Sequence, residues 1–490
     1  MKQFKSKQLS KNSVNEFMLE VFKKAANRPL YLFLSNAIVR KNIIKLADKK
    51  IYALLLNNKD LPLQVNKDKY SMIKSLLLAI DSAFAKAGNV PQVRKALINS
   101  LVQNILIGSG DKLKKFQNKY KRQPPLFLLI APGKFCNLKC KGCYANSSAA
   151  NSEKLSWDTL DRIINEKREL WGSYFTVITG GEPLLYKDDG KTIIDLAKKH
   201  KDNYFLMYTN GTLINEEMAE KLAEVGNITP AISVEGFEKE TDFRRGKGVH
   251  KKILKAMENL RKAGVPFGIS ITAAKENAEL VVSDKMIDYY FKKQGAVYAW
   301  IFQLMPIGRV DTLDSMVTPE QRAKMFRKTQ DLVRDRNIFI ADFWNSGCAS
   351  SGCISAGKSN GGYLYIDWNG NVTPCVFNPY SPVNINEIYA KDKTLNDVLE
   401  EPFFKSIRQW QKDYALDQKP ENMGNWITPC PIKDHYSMMK NKLRKYHPKP
   451  IDEVARKAIK DPEYQSGLEK YDKNISKILD PIWEKEYLNK

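Results

Sequence analysis

Between Pro124 and Arg309 the hydrophobic pattern of this chain switches period again and again. Short runs rich in β-branched and aromatic residues stand at 126–132, 174–181, 203–211, 228–236, 265–274 and 297–308. Between them lie segments with apolar residues every three or four positions. They include SWDTLDRIINEKRELWG with Ser156 as N-cap, NEEMAEKLAEVG closed by Gly226, and KKILKAMENLRKAG closed by Gly264. Strands alternating with helices predict a parallel α/β sheet with right-handed crossovers. Six of them fit a partial (β/α)6 barrel of the TIM type, with a doubly wound open sheet as the alternative.

Folds of this kind do their chemistry at the C-terminal ends of the strands, and the unusual residues fall there. A loop with Cys136, Cys140 and Cys143 follows the first run and GGEP (Gly180 to Pro183) the second. TNG (Thr209 to Gly211) follows the third, SVEG (Ser233 to Gly236) the fourth, Thr272 the fifth and MPIGR (Met305 to Arg309) the sixth. Six signals point to one rim.

The chain has seven cysteines, and three stand at C-x3-C-x2-C spacing. Three thiolates can hold three corners of a four-iron cluster, leaving one iron open to a small molecule. A structural zinc knuckle is the alternative, but it would want a fourth Cys or His nearby, and no His precedes His200.

The cysteine loop after the first strand, followed by GGEP after the second, resembles the radical S-adenosylmethionine (SAM) superfamily. The likeness covers about residues 126–310. It departs from the family at Gly142, where the residue before the third cysteine is often aromatic; here the aromatic is Tyr144, just after it. The resemblance implies a [4Fe-4S] cluster on Cys136, Cys140 and Cys143, with SAM on the open iron. It also implies a flavodoxin- or ferredoxin-type electron donor and a 5'-deoxyadenosyl radical that takes hydrogen from substrate. By the family pattern Gly180 and Gly181 let backbone approach the cofactor, Glu182 accepts from the SAM ammonium, and Thr209, Asn210, Ser233 and Glu235 lie along ribose and methionyl groups. Arg244 or Arg245 meets the SAM carboxylate, and Met305 completes the pocket.

The other cysteines are Cys348, Cys353, Cys375 and Cys430. GGYLYIDWNGNVTPC reads as a hairpin turning at Asn369-Gly370 through a two-residue type I' turn. With its glycine, four residues, cysteine element it resembles the SPASM/twitch extension of radical SAM maturases in shortened form. Four cysteines permit one auxiliary [4Fe-4S] cluster, for which electron relay is the expected role. A zinc site on the same four and buried free thiols are the alternatives, and His435 is a possible substitute ligand.

Residues 1–120 hold 23 Lys and Arg against 7 Asp and Glu, two thirds of the chain's net +24. Apolar residues at helical spacing predict four or more amphipathic helices there, including 13–27 and 92–108. A basic helical face could meet anionic lipid, so peripheral membrane contact is one expectation and a plain solvated surface the other. Met1 to Asn12 lacks the apolar core of a signal peptide, which leads us to expect a cytoplasmic protein. The expected domains are a basic helical region (1–122), a radical SAM core (123–340), an auxiliary iron-sulfur extension (341–435) and a helical tail (436–490). A peptide or protein substrate is the first expectation and a lipid-like one the second. The GGEP rim argues against a non-catalytic metal-binding or nucleic-acid-associated scaffold.

Overall fold

The computed structural model describes residues 36–88, 90–98, 110–310 and 312–490. Each of the six predicted runs forms a strand: β1 Phe127–Ile130, β2 Phe175–Ile178, β3 Tyr204–Thr209, β4 Ile228–Val234, β5 Gly268–Ala273 and β6 Ala299–Gln303. They pair in chain order, all parallel. Helices such as Trp157–Trp171, capped by the Ser156 hydroxyl on the Thr159 N–H, cover the outside.

Two further parallel strands extend this sheet. β7 (Ile340–Asp342) pairs with β6, and β8 (Tyr363–Ile366) pairs with β1 at the opposite edge. In a flat sheet these edges would lie roughly 34 Å apart, at about 4.8 Å per strand step. Instead the rings of Phe343, just after β7, and Tyr363, opening β8, are 6.3 Å apart. The sheet is therefore curled into a TIM-like partial barrel whose two edges face each other through aromatic side chains.

Beyond β8 the chain turns back antiparallel into β9 (Asn371–Thr373) and then β10 (Val383–Asn384). The β8–β9 connection is a hairpin, as expected, but not through a two-residue turn. Asp367 and Asn371 bracket a three-residue loop, the Asp367 carboxylate accepts from the N–H groups of Asn369 and Asn371, and Gly370 alone takes a positive φ of 83°. That is a type I turn followed by a left-handed residue.

Of the expected N-terminal helices, 13–27 and most of 92–108 lie outside the described residues. Ala37–Leu56 and Leu63–Lys86 form a hairpin around Ala47, Ile51 and Leu55. Its lysines do not all form a solvated face. Lys86 donates to the Gly295 carbonyl at 2.7 Å, and Lys69 bonds to Ser351, so part of the basic charge is turned toward the barrel. Among the described residues no helix is long and apolar enough to cross a membrane.

The C-terminal helix Pro462–Glu486 packs on helix Pro319–Arg334 and on helix Tyr436–Tyr446. Tyr487 closes this layer by donating to Asp68 of the N-terminal hairpin. Beneath it a fully buried Arg322 grips Asp434 through two guanidinium nitrogens and also bonds to Asn345 and the Ile427 carbonyl.

Candidate functional site

The strand ends converge on one cavity of about 270 Å³ that runs from the rim down into the barrel. Its upper wall carries Cys136, Cys140 and Cys143 beside Gly180, Gly181, Thr209 and Asn210. Ser233, Arg244, Arg245 and Met305 face them from strands β4 to β6 and the loops after them.

The cysteine loop and GGEP are joined through backbone. Gly181 N–H donates to the Gly133 carbonyl and Glu182 N–H to the Phe135 carbonyl, both at 2.9 Å. A Cβ on Gly181 would lie 2.0 Å from the Phe135 oxygen, so only glycine permits the approach. Gly142 explains the departure from the family pattern. Its φ is +66°, a backbone state that a bulky aromatic residue adopts only with strain. Tyr144 supplies the ring instead, with its hydroxyl between Thr179 and the Gly180 N–H.

The two glutamates differ from what the family pattern implied. Neither Glu182 nor Glu235 lines the cavity. Glu182 is buried and accepts from the Thr209 hydroxyl (2.7 Å), the Asn210 N–H (2.8 Å) and the Leu184 N–H (3.2 Å). Burial raises its pKa despite these donors. It thus fixes the TNG turn from behind, with most of its acceptor capacity already engaged. Glu235 likewise receives the Thr272 N–H (3.0 Å) and pairs with Arg245 (2.5 Å) and Arg244 (3.2 Å). Both arginines are held on the wall by this one carboxylate. Arg244 reaches the Gly142 carbonyl at 3.0 Å, and Arg245 points at the Cys140 sulfur at 4.0 Å.

Arg309 received no role from the sequence beyond its place after the sixth strand. It clamps the cysteine loop, donating to the carbonyls of Cys140 and Ser147 and to the Asn146 side chain. N–H donors also converge on the thiols. The Leu138 N–H lies 3.4 Å and the Asn210 amide 3.8 Å from the Cys136 sulfur. Burial pushes the Cys136 thiol up to about 12 and raises that of Cys140, so these sulfurs ionise readily only against a bound cationic metal. A thiolate-ligated iron-sulfur cluster fits that donor set.

The downstream cysteines divide. Cys353, Cys375 and Cys430 come close enough to interact electrostatically, and burial raises all three thiols, Cys375 to about 12. Cys348 does not join them. It packs with Phe326, Trp426 and Ile427, and its thiol faces Tyr487 among Asp68, Lys69 and Arg334. It lines a separate cavity of about 40 Å³. The set of four expected from the sequence is therefore three in this structure. His435 is not the substitute: its ring lies against Trp410 and Tyr414, and its Nε2 is 2.9 Å from the Thr428 carbonyl. Among the described residues no three His, Cys, Asp or Glu side chains close on a point that a single ion could occupy.

Below the rim the cavity walls are aromatic and aliphatic. Phe127 stacks on Tyr363 (5.1 Å, 8°) and meets Phe175 edge-on, while Phe302 contacts Tyr208, Phe343 and Phe377. Polar side chains interrupt these walls at Ser270, Thr272 and, at the end of β6, Gln303. Gln303 accepts from a fully buried Lys433 at 2.8 Å and donates to Asp342.

Comparison with known proteins agrees with this site. Residues 130–282 match the radical SAM superfamily, and residues 353–422 match an iron-sulfur cluster-binding domain, SPASM. The chain is 28% identical to the AdoMet-dependent heme synthase of Methanosarcina barkeri, over 51% of this chain and 77% of that protein. It is 27% identical to the mycofactocin maturase MftC of Mycolicibacterium smegmatis, over 59% and 71%. Among solved structures, Streptococcus suis SuiB bound to precursor peptide SuiA superposes with a TM-score of 0.50 at 18% identity, covering 70% of this chain and 79% of that one. The chain carries a radical SAM domain and a SPASM domain, the domains of an enzyme, and these imply S-adenosylmethionine and [4Fe-4S] clusters as its cofactors.

Proposed function

We propose that Cys136, Cys140 and Cys143 hold a four-iron cluster with one iron left for SAM, and that the enzyme takes hydrogen from an apolar or aromatic side chain of a peptide or protein. The wall chemistry of the cavity carries this reading. Among the described residues its charged lining side chains are Arg244 and Arg245, both at the rim and both paired with Glu235; the described residues deeper in are uncharged and mostly apolar. When bound, the cluster and SAM supply a 5'-deoxyadenosyl radical. The protein's own part is positional: Arg309 and the GGEP backbone hold the cysteine loop, Glu182 holds Thr209 and Asn210, and Glu235 holds both arginines. The apolar chamber below excludes water from whatever side chain enters it.

Cys353, Cys375 and Cys430 would hold an auxiliary cluster directly behind the chamber, whose wall includes their chain neighbours Ile354 and Val376. With Cys348 packed apart from them, these three thiols would leave one corner of such a cluster for a further donor. We also retain the four-part division of the chain proposed from its sequence.

SuiB binds a precursor peptide in its solved structure, which supports the peptide reading. A second reading, a tetrapyrrole carboxylate, is favoured by the likeness to heme synthase. Such a substrate needs cations to meet its carboxylates, and the deep walls offer none. A lipid chain would suit the walls, but Lys69 and Lys86 are turned toward the barrel. The test is isotope transfer. Short peptides carrying perdeuterated Phe, Tyr, Leu or Val should pass deuterium into 5'-deoxyadenosine. Transfer only from labelled Asp or Lys, or only from a porphyrin, would overturn the assignment.

A further inference from the structure

Tyr363 belongs at once to the chamber and to the auxiliary cysteines. It opens β8 in register with Phe127, and its ring walls the cavity, stacked on Phe127 and edge-on to Phe343. Its backbone N–H donates to the Ile354 carbonyl at 2.9 Å, which ties it beside Cys353. The Gly357 N–H donates to the Tyr363 carbonyl at 2.9 Å, and the Ala356 N–H donates to the carbonyl of Pro374, the residue before Cys375, at 2.8 Å, so the 354–357 segment joins Tyr363 to the Cys375 turn.

The phenol hydroxyl at this junction is an anomaly. Tyr363 is 1% exposed, and among the described residues its oxygen has no hydrogen-bond partner of ordinary geometry, only the Val376 backbone and the Cys375 thiol nearby. Buried hydroxyls are nearly always satisfied. A neutral thiol is a weak acceptor, whereas a thiolate bound to iron is a strong one. The Cys375 thiol is the side chain that this hydroxyl faces.

We propose that Tyr363 is a positioning residue for the auxiliary centre, donating its O–H to the metal-bound Cys375 sulfur and thereby raising the centre's reduction potential. The proposal rests on the reading that Cys353, Cys375 and Cys430 hold that cluster. A donor to a ligand sulfur stabilises the reduced, more negative cluster more than the oxidised one, which is how hydrogen bonds set iron-sulfur potentials. Because the same ring walls the chamber, the centre is tuned by a side chain that also touches the space where substrate would lie.

The experiment is a redox titration of the reconstituted holoenzyme, following by paramagnetic resonance the signal that SAM does not move. Tyr363→Phe keeps the ring and removes the donor, so the midpoint should move negative with the iron count unchanged. Tyr365→Phe is the control, because its hydroxyl is also buried without a partner but faces Tyr144 rather than the auxiliary thiols. It should leave that midpoint in place. An unmoved midpoint in Tyr363→Phe, or an equal shift in both variants, overturns the proposal. If Tyr363→Phe fails to assemble its cluster, wild type labelled with ring-deuterated tyrosine decides: deuterons coupled to the auxiliary centre are expected, and their absence refutes the bond. If wild type shows no SAM-insensitive cluster at all, the auxiliary reading itself fails and takes the proposal with it.

Discussion

The two cysteine trios of this protein are built in opposite ways. Cys136, Cys140 and Cys143 sit on one loop, close in sequence, and the rest of the barrel rim exists to hold that loop still. Cys353, Cys375 and Cys430 come from a turn, a hairpin end and the approach to a C-terminal helix, and only tertiary packing brings them together. A local set declares its ligands by spacing. A dispersed set declares only its cysteine count, and packing decides which members join, as the separation of Cys348 shows.

The largest expected difference between the trios is in SAM cleavage. Cys140→Ala should abolish 5'-deoxyadenosine formation by anaerobically reconstituted, reduced protein, whereas Cys375→Ala should still form it. Equal loss in both variants would merge the two sites into one function. Next in size is Arg322→Met. It strands Asp434, which also accepts from the Cys430 N–H at 3.1 Å, as a buried, unpaired charge. Removing one partner of a buried pair costs about 3–5 kcal/mol, so denaturant unfolding should show a loss of that order, with the auxiliary iron depleted before the rim iron.

Glu182→Gln tests the rim's indirect support. One of its oxygens becomes an N–H facing the donors of Thr209 and Asn210. We expect SAM affinity to fall roughly tenfold, matching about 1.5 kcal/mol for a charged hydrogen bond, with the cluster's spectrum preserved. Unchanged affinity would remove the clamp from the account. The smallest effect belongs to Cys348→Ala, which should cost on the order of 1 kcal/mol in packing and leave the iron content at the wild-type level. Loss of the auxiliary iron would return Cys348 to the ligand set.

The same contrast governs what the sequence made legible. All six strands and the rim residues after them could be read because periodicity and motif spacing are local. β7 was missed because three residues, Ile340–Asp342, are too short to show a period. The parallel docking of β8 on β1 was missed because a hairpin strand carries no mark of which distant edge it will join. Glu182 and Glu235 were read as cofactor contacts because a motif names a residue without saying which way its carboxylate faces. The structure turns both behind the wall. Arg309 stood in a noted motif, yet its clamp on the Cys140 and Ser147 carbonyls involves backbone, which sequence patterns do not display. Lys433 gave no signal either, since one lysine in a basic chain does not announce that it is fully buried against Gln303.

The central claim is that two separate centres exist, one on the rim loop and one on the dispersed trio. Iron analysis of the full chain with Cys136, Cys140 and Cys143 all replaced by Ala tests it most directly. Wild type should hold roughly eight irons, two complete cubanes, and the triple variant roughly four. SAM should shift the paramagnetic spectrum of wild type and leave that of the variant unmoved, because Arg244, Arg245 and the TNG turn stand beside the rim trio and not beside the dispersed one. A variant with no iron, or with tightly held zinc instead, would contradict the account.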